Sequence, residues 1–377
     1  MNSERLKDRE TGSSFNMKKF ISTLAVFLSP FLIAIIIEIC FLPVDFFTFR
    51  TWEAISGSAY YKKALGPFYP NIQIDRIEEG DLAHHTPYAV KKEVRWITDK
   101  YGYRKQNSMK RNEIIIVGDS NAVGSGLSQE EILSEVLEKK INRHVYPYAP
   151  AGFKSYFYEK RFLDNPPDVV IFQIIEREII SLQSPHIPNQ KLFVWINRLR
   201  ETIREFHLQP VAIFLDRAFI KMNMLNYLKA SIKPKEVRGI IGKGEIEEKR
   251  MIFLQGKSAH AEISLSQIAQ IIKTLKQYAS LFREKGIRFI FVPIPNKETI
   301  YYRNIPALKK RSFFLSHLIN ELKKTDVEYL NTLELFNSAS QSGQKLLYFS
   351  DDSHWNAKGV ELVSQLLYDR LTSDSSH

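Results

Sequence analysis

A serine hydroxyl is a weak nucleophile until a base removes its proton, and that base is usually a histidine oriented by a carboxylate. Two short segments of this sequence carry those residue types. Gly118-Asp119-Ser120-Asn121 follows the β-branched run Glu113-Ile114-Ile115-Ile116-Val117. Ser350-Asp351-Asp352-Ser353-His354-Trp355-Asn356 lies far downstream. Ser120 is the candidate nucleophile and His354 the candidate base. Asp351 and Asp352 stand three and two positions before His354, and either could hold the imidazole in the required tautomer. The chemistry they would support is acyl transfer through an ester on Ser120. Each segment alone has a plainer reading, a helix-capping turn for the first and a surface turn for the second. Their joint placement at loop-to-helix junctions gives the pair its weight.

Other polar residues have plainer readings beside functional ones. His84 and His85 read as a solvated turn before a metal site, because no third ligand is in view. No Cys/His set has metal-ligand spacing, and the single cysteine, Cys40, allows no intrachain disulfide. Arg177 reads equally as a salt-bridge partner of a nearby glutamate or as a substrate ligand. Lys297 reads as a surface lysine before an anion ligand. Tyr156-Phe157-Tyr158 reads as helix packing before a sugar platform.

The elements that must position these residues alternate. Strands are predicted over Glu113–Val117, Asn142–Tyr148, Asp168–Ile175, Arg288–Pro293 and Asp326–Leu330. Helices are predicted over Ser128–Lys140, Leu265–Lys285, Phe313–Lys324 and Asn356–Leu371. Ser128 has an N-cap's type, with Glu131 at capping-box spacing. Strands alternating with helices imply a three-layer α/β domain with a parallel sheet covered on both faces. In such sheets active residues gather at the carboxyl ends of the strands, where both the Ser120 turn and Pro293-Ile294-Pro295-Asn296 fall. The domain is expected over 112–377, with a basic helical insertion at about 194–260, and 43–111 reads as a connecting region packed onto it.

Length and composition suit a folded protein: 377 residues, 44% apolar and 25% charged. The net charge of +11 favours anionic surfaces such as lipid headgroups or anionic polysaccharide. Nucleic acid is not an expected partner, because neither zinc-finger spacing nor an RNA-binding aromatic signature is present. Phe20 to Leu42 is almost wholly apolar, which predicts a single membrane-spanning helix. Lys18 and Lys19 precede it, so residues 1–19 are expected in the cytoplasm and the main domain outside it, on an inner (plasma) membrane facing the periplasm where one exists. A cleaved signal lacks a small-x-small site. Lipidation at Cys40 is disfavoured by the large Ile39 before it.

The segments IIIVGDSN and DDSHWNAKG resemble the first and last blocks of the SGNH (GDSL-type) hydrolase superfamily, and Asp-x-His-Trp resembles the alginate-type O-acetyltransferases. The resemblance runs from about Asn112 to the last helix. It implies Ser120 as nucleophile, His354 as base, and Asp351 or Asp352 as the orienting acid, with the acetyltransferase spacing favouring Asp352. It implies oxyanion donors at the Ser120 amide and Gly152. No Gly-x-Asn-Asp follows DVVIFQII, so the third donor departs from the family pattern, and Gln173, Arg177 or Asn121 would have to replace it. Trp355 joins these as a substrate-side candidate. The implied function is serine-dependent acyl transfer, acetyl above all, to or from envelope or exported carbohydrate. A plain esterase and a non-catalytic, membrane-tethered glycan binder are the alternatives. A membrane partner supplying acetyl groups is implied, and no cofactor.

Overall fold

The structure, a computed structural model, describes residues 16–40, 50–106, 111–185, 190–222, 236–256, 263–306, 308, 310–342 and 346–373. The chain forms two compact units, Met1–Phe47 and Thr48–His377.

The first unit contains helix α1 (Met17–Cys40), with Pro30 inside it. Its large apolar side chains, Phe20, Leu24, Phe27 and Phe31 among them, are exposed. Side chains beyond Ile33 lie outside the described residues, as does the end of the expected span. Among the described residues no helix is long and apolar enough to cross a membrane.

The second unit is built on a parallel four-stranded sheet. Its strands are β3 (Ile114–Gly118), β4 (Val145–Tyr148), β5 (Val169–Ile175) and β8 (Arg288–Ile294), in the order β4-β3-β5-β8. All of β3, β4 and β5 is buried, which is why these strands read as continuous apolar runs rather than alternating ones. Register pairs Gly118 with Gln173 and Gln173 with Val292. That pairing sets a glutamine beside the strand end from which the Ser120 turn emerges. Helices α5 (Leu133–Ile141), α11 (Leu265–Arg283), α13 (Phe314–Leu322), α14 (Thr332–Gln341) and α15 (Ala357–Ser373) enclose one continuous core with the sheet.

Three predicted elements differ. The Ser128–Glu131 capping box forms, with Ser128 N donating to Glu131 Oε2 at 2.9 Å, but it caps only a 3-10 turn. Ile132 is extended (φ −71°, ψ 150°), so α5 starts at Leu133 rather than Ser128. Asp326–Leu330 is no strand; Tyr329 makes a lone parallel bridge to Phe291. The basic stretch is helical over α9 (Gln190–Glu205) and α10 (Gln209–Met222), then turns into the short antiparallel pair β6 (Ile240–Ile241) and β7 (Ile252–Phe253).

Residues 50–106 belong to the same compact unit as the sheet. They carry α2 (Thr51–Ile55), α3 (Ala59–Ala64) and an antiparallel hairpin of β1 (Gln73–Glu78) and β2 (Lys92–Ile97). Trp96 of β2 is fully buried beneath the Arg104 guanidinium, 3.9 Å from its ring centroid.

Candidate active site

The nucleophile turn is fixed by local geometry. β3 ends at Gly118, where a Cβ would stand 2.4 Å from the Gln173 carbonyl oxygen, so only glycine fits between the strands. Asp119 caps helix α4 (Ser120–Val123): Oδ1 accepts from Asn121 N at 2.8 Å and Oδ2 from Ile175 N at 2.7 Å. The aspartate therefore ties the turn to the end of β5. Arg104, fully buried, donates to the carbonyl oxygens of Val123 (3.1 Å), Gly124 (2.6 Å) and Leu127 (2.6 Å) just beyond. Burial pulls its pKa down to about 9.

The base comes from a loop that lies on no strand. His354 Nε2 stands 2.7 Å from Ser120 Oγ, and its Nδ1 stands 2.5 Å from Asp352 Oδ1. Asp352 and His354 are both buried. Burial raises the Asp352 pKa, but the charges of His354 and Lys92 and the His354 hydrogen bond outweigh it and hold this carboxyl well below its ordinary range. Asp352 is thus ionised and placed to keep the Nδ1 proton on the ring. Asp351 faces away from the ring: its Oδ2 accepts from Gly80 N and Val90 N, both at 2.8 Å. The geometry separates the two aspartates: Asp352 contacts the ring, and Asp351 contacts the Gly80 and Val90 amides.

Four remote groups hold this loop. Lys297, at the start of helix α12 (Lys297–Ile300), is fully buried rather than at the surface or facing an anion. Its Nζ lies within hydrogen-bond distance of the carbonyl oxygens of Ile252 (2.6 Å), Phe349 (2.7 Å), Ser350 (2.9 Å) and Asp352 (3.0 Å). Burial lowers its pKa to about 8. Glu176, in helix α8 (Glu176–Ile179), accepts from Asn296 N (2.8 Å) and Thr299 Oγ1 (2.6 Å), which seats α12. Its pKa is pushed up to about 7 by burial. From the β1–β2 connection, Gly80 approaches so closely that a Cβ would meet the Asp351 carbonyl oxygen at 2.1 Å. Asp81 accepts from Ser353 N (2.8 Å) and Ser353 Oγ (2.7 Å), with Oδ2 4.0 Å from His354 Nδ1. Burial, then the neighbouring Asp352 charge, raise the Asp81 pKa. No motif marks Asp81, Gly80 or Lys92 in the sequence, because their roles exist only through contacts about 260 or more positions away in the chain.

Asp81, Asp352 and His354 bring ligand atoms within 4.8 Å of one another, the one such group among the described residues. Both ring nitrogens of His354 are already engaged, by Asp352 and Ser120.

Ser120 opens on a cleft of about 810 Å³ lined also by Gly152, Phe153, Gln173, Glu178 and Tyr278. Gly152 borders open space, and among the described residues neither its amide nor that of Ser120 donates to another backbone or side-chain group. Gln173 is fully buried, yet both its Oε1 and Nε2 lack partners. A buried amide in that condition costs about 1–3 kcal/mol unless something completes it, and the cleft is where completion can come from.

The other candidates go elsewhere. Asn121 accepts from Trp355 N at 3.4 Å through Oδ1, and its carbonyl oxygen accepts from Trp355 Nε1 at 3.2 Å. Both residues are fully buried and neither lines the cleft. They join the Ser120 segment to the His354 segment. Arg177 leans on Asn296 Oδ1 (3.3 Å from its amide) and also lies outside the cleft lining. Tyr156, Phe157 and Tyr158 are buried in aromatic packing. His85 N donates to Glu79, and burial lowers the His84 pKa to about 4.

An α/β domain with serine, histidine and aspartate in contact at the carboxyl edge of a parallel sheet is the class that fold and site define. Residues 250–376 match the family model for the SGNH hydrolase-like domain of the acetyltransferase AlgX, so this part of the chain is similar to that domain. Asp352 and His354 lie inside the matched residues and Ser120 before them. A comparison with curated proteins found no match. Among solved structures, one described as a lipolytic protein of the G-D-S-L family from Desulfitobacterium hafniense is 9% identical. It covers 68% of this chain and 97% of its own, at a TM-score of 0.35. One described as an acylhydrolase from Bacteroides fragilis is 9% identical, over 72% of this chain and 89% of its own, at 0.32. At these TM-scores nothing further rests on either.

Proposed function

We propose that this chain transfers an acyl group, acetyl in the simplest case, through Ser120 to a carbohydrate hydroxyl, and hydrolyses the donor when water takes the acceptor's place. One observation carries the reading: the unbroken line of short contacts from Ser120 Oγ through His354 to Asp352, opening on the cleft. Ser120 Oγ attacks the acyl carbonyl while its proton passes to His354 Nε2, and Asp352 stabilises the imidazolium. The amides of Ser120 and Gly152 meet the developing oxyanion, with the unpartnered Gln173 side chain as third donor. Collapse breaks the bond to the leaving group, which takes the proton from His354 and leaves an ester on Ser120. The acceptor hydroxyl then gives its proton to His354 as it attacks the ester carbonyl, and the bond to Ser120 Oγ breaks as that oxygen takes the proton back from His354.

The cleft mixes the hydroxyls of Ser181 and Ser184 and the amide of Gln183 with the rings of Phe153, Phe172 and Tyr278. Such a mixture suits a sugar, which presents hydroxyls at its edge and C–H groups on its faces. The apolar run Phe20–Leu42, with its exposed side chains on α1, supports a membrane-attached chain whose catalytic unit lies outside the cytoplasm. A membrane partner would then deliver the acyl group.

The test is acylation of the full chain, in detergent, by p-nitrophenyl acetate. Mass spectrometry should find one acetyl group on Ser120 and none in Ser120→Ala. No adduct, together with equal turnover by both proteins, would remove the reading. Added oligosaccharide should divert acetyl from water to sugar, and reporter fusions after Arg50 should face away from the cytoplasm.

A further inference from the structure

A second cavity, of about 400 Å³, shares no lining residue with the catalytic cleft. One wall is α9, which presents Asn197, Arg200, Glu201 and Arg204 at helical spacing. The other walls are helix α7 (Lys160–Asp164) and the Lys100-Tyr101 turn. Five cations line it against three carboxylates, leaving a net charge of two.

The pairing within it is incomplete. Glu159 is buried and spends both oxygens, on Arg161 Nε (3.0 Å) and Arg200 Nη1 (3.2 Å). Arg161 stacks on Tyr101, 3.6 Å from the ring centroid, and its buried Nη2 has no partner. Arg204 stacks on the same ring at 4.5 Å and donates to no acceptor among the described residues. Burial lowers its pKa; Glu159 opposes that, and the neighbouring Arg161 and Arg200 reinforce it. Three guanidinium groups are thus gathered about one carboxylate, with donors left over and a cavity beside them. Aromatic stacking holds two of them in place without supplying a counter-charge.

We propose that this cavity is a second, phosphate-binding site. A phosphate monoester or free phosphate brings close to two negative charges and several acceptor oxygens in diverging directions, which matches both the net charge and the unused donors. A planar monoanionic carboxylate supplies half the charge.

The test is calorimetric titration of the full chain in detergent with inorganic phosphate alone, glucose 6-phosphate, glucuronate, and phosphatidate vesicles. Phosphate should bind saturably and weaken with added salt. Arg204→Gln should lower affinity about tenfold or more. Because Arg204 gives up no hydrogen bond among the described residues, and the Gln side chain can still lie against Tyr101, that variant should keep its melting temperature within a few degrees. Lys100→Gln, at the exposed rim, should lower affinity less, and Lys285→Gln, elsewhere on the surface, not at all. Tighter binding of glucose 6-phosphate identifies a soluble phosphate ester, and tighter binding of vesicles a lipid headgroup. No saturable binding, affinity unchanged in Arg204→Gln, or glucuronate binding as tightly as phosphate would each overturn the proposal. Titrating Ser120→Ala should give the wild-type result, so the outcome stands apart from acyl transfer.

Discussion

The two halves of the active site are held by different means. Ser120 sits on a turn bounded by two buried parallel strands, capped by its own neighbour Asp119, with Arg104 gripping the carbonyls beyond. His354 sits on a loop with no strand of its own, secured by Lys297, Gly80, Asp81 and Lys92 from distant parts of the chain. Arg104 and Lys297 do the same work on the two sides, each a buried cation spread over several backbone carbonyl oxygens. Backbone geometry already places the nucleophile, whereas the base is placed almost wholly by side chains. The base side should therefore be the more fragile.

Substitutions can break that comparison. Asp352→Asn should have the largest effect, a fall of about 10⁴ in kcat, since the imidazole loses its tautomer. Asp351→Asn should cost far less in turnover and show mainly as lower stability. Equal losses in the two would overturn the assignment of the acid. Next, Lys297→Met and Arg104→Met each strand several buried carbonyl oxygens, at about 1–3 kcal/mol apiece. Both should melt early, but at a temperature where both remain folded, Lys297→Met should lose much more of its turnover.

Gln173→Ala should lower kcat by about 100-fold or more while leaving the Ser120 ester detectable after long incubation. A change in KM alone would mean that Gln173 contacts substrate only. Glu176→Gln sharpens the picture through pH. The folded protein holds the Glu176 proton up to about pH 7, against 4.5 for an ordinary glutamate. Its contribution to stability is therefore full below 4.5 and is lost as pH rises to 7, by on the order of 3 kcal/mol. Chemical denaturation of Glu176→Gln should lack that fall. Smallest, Trp355→Phe keeps the buried ring but loses the hydrogen bond to Asn121, costing about 1 kcal/mol and a few-fold in turnover.

The nucleophile side was legible in the sequence for the same reason that it is robust. A β-branched run followed by Gly-Asp-Ser is a local pattern, and local patterns fix strands and caps. The Asp352–His354 pairing was half legible, because its spacing left Asp351 open until contacts with Gly80 and Val90 occupied that carboxylate. Trp355 and Asn121 looked like substrate groups because they flank catalytic residues, but burial turns both inward. Residues 43–111 read as a connector because their apolar runs are short. Asp81, Lys92 and Arg104 act through single long-range contacts that leave no periodicity behind. The Asp326–Leu330 segment has strand-like composition, yet it meets the sheet only at Phe291, through the single bridge at Tyr329 and the hydrogen bonds of Glu328 and Leu330 beside it.

The bond from Ser120 to His354 spans 234 positions, and the Trp355–Asn121 tie beside it spans as many. A chain in the course of synthesis therefore presents its nucleophile long before its base. Until the segment around residue 354 has emerged and docked, Ser120 remains an ordinary alcohol. Under the proposed acyl transfer, a nascent or truncated chain can meet acyl donors and stay silent, so the order of the two segments along the chain delays chemistry until folding is nearly complete.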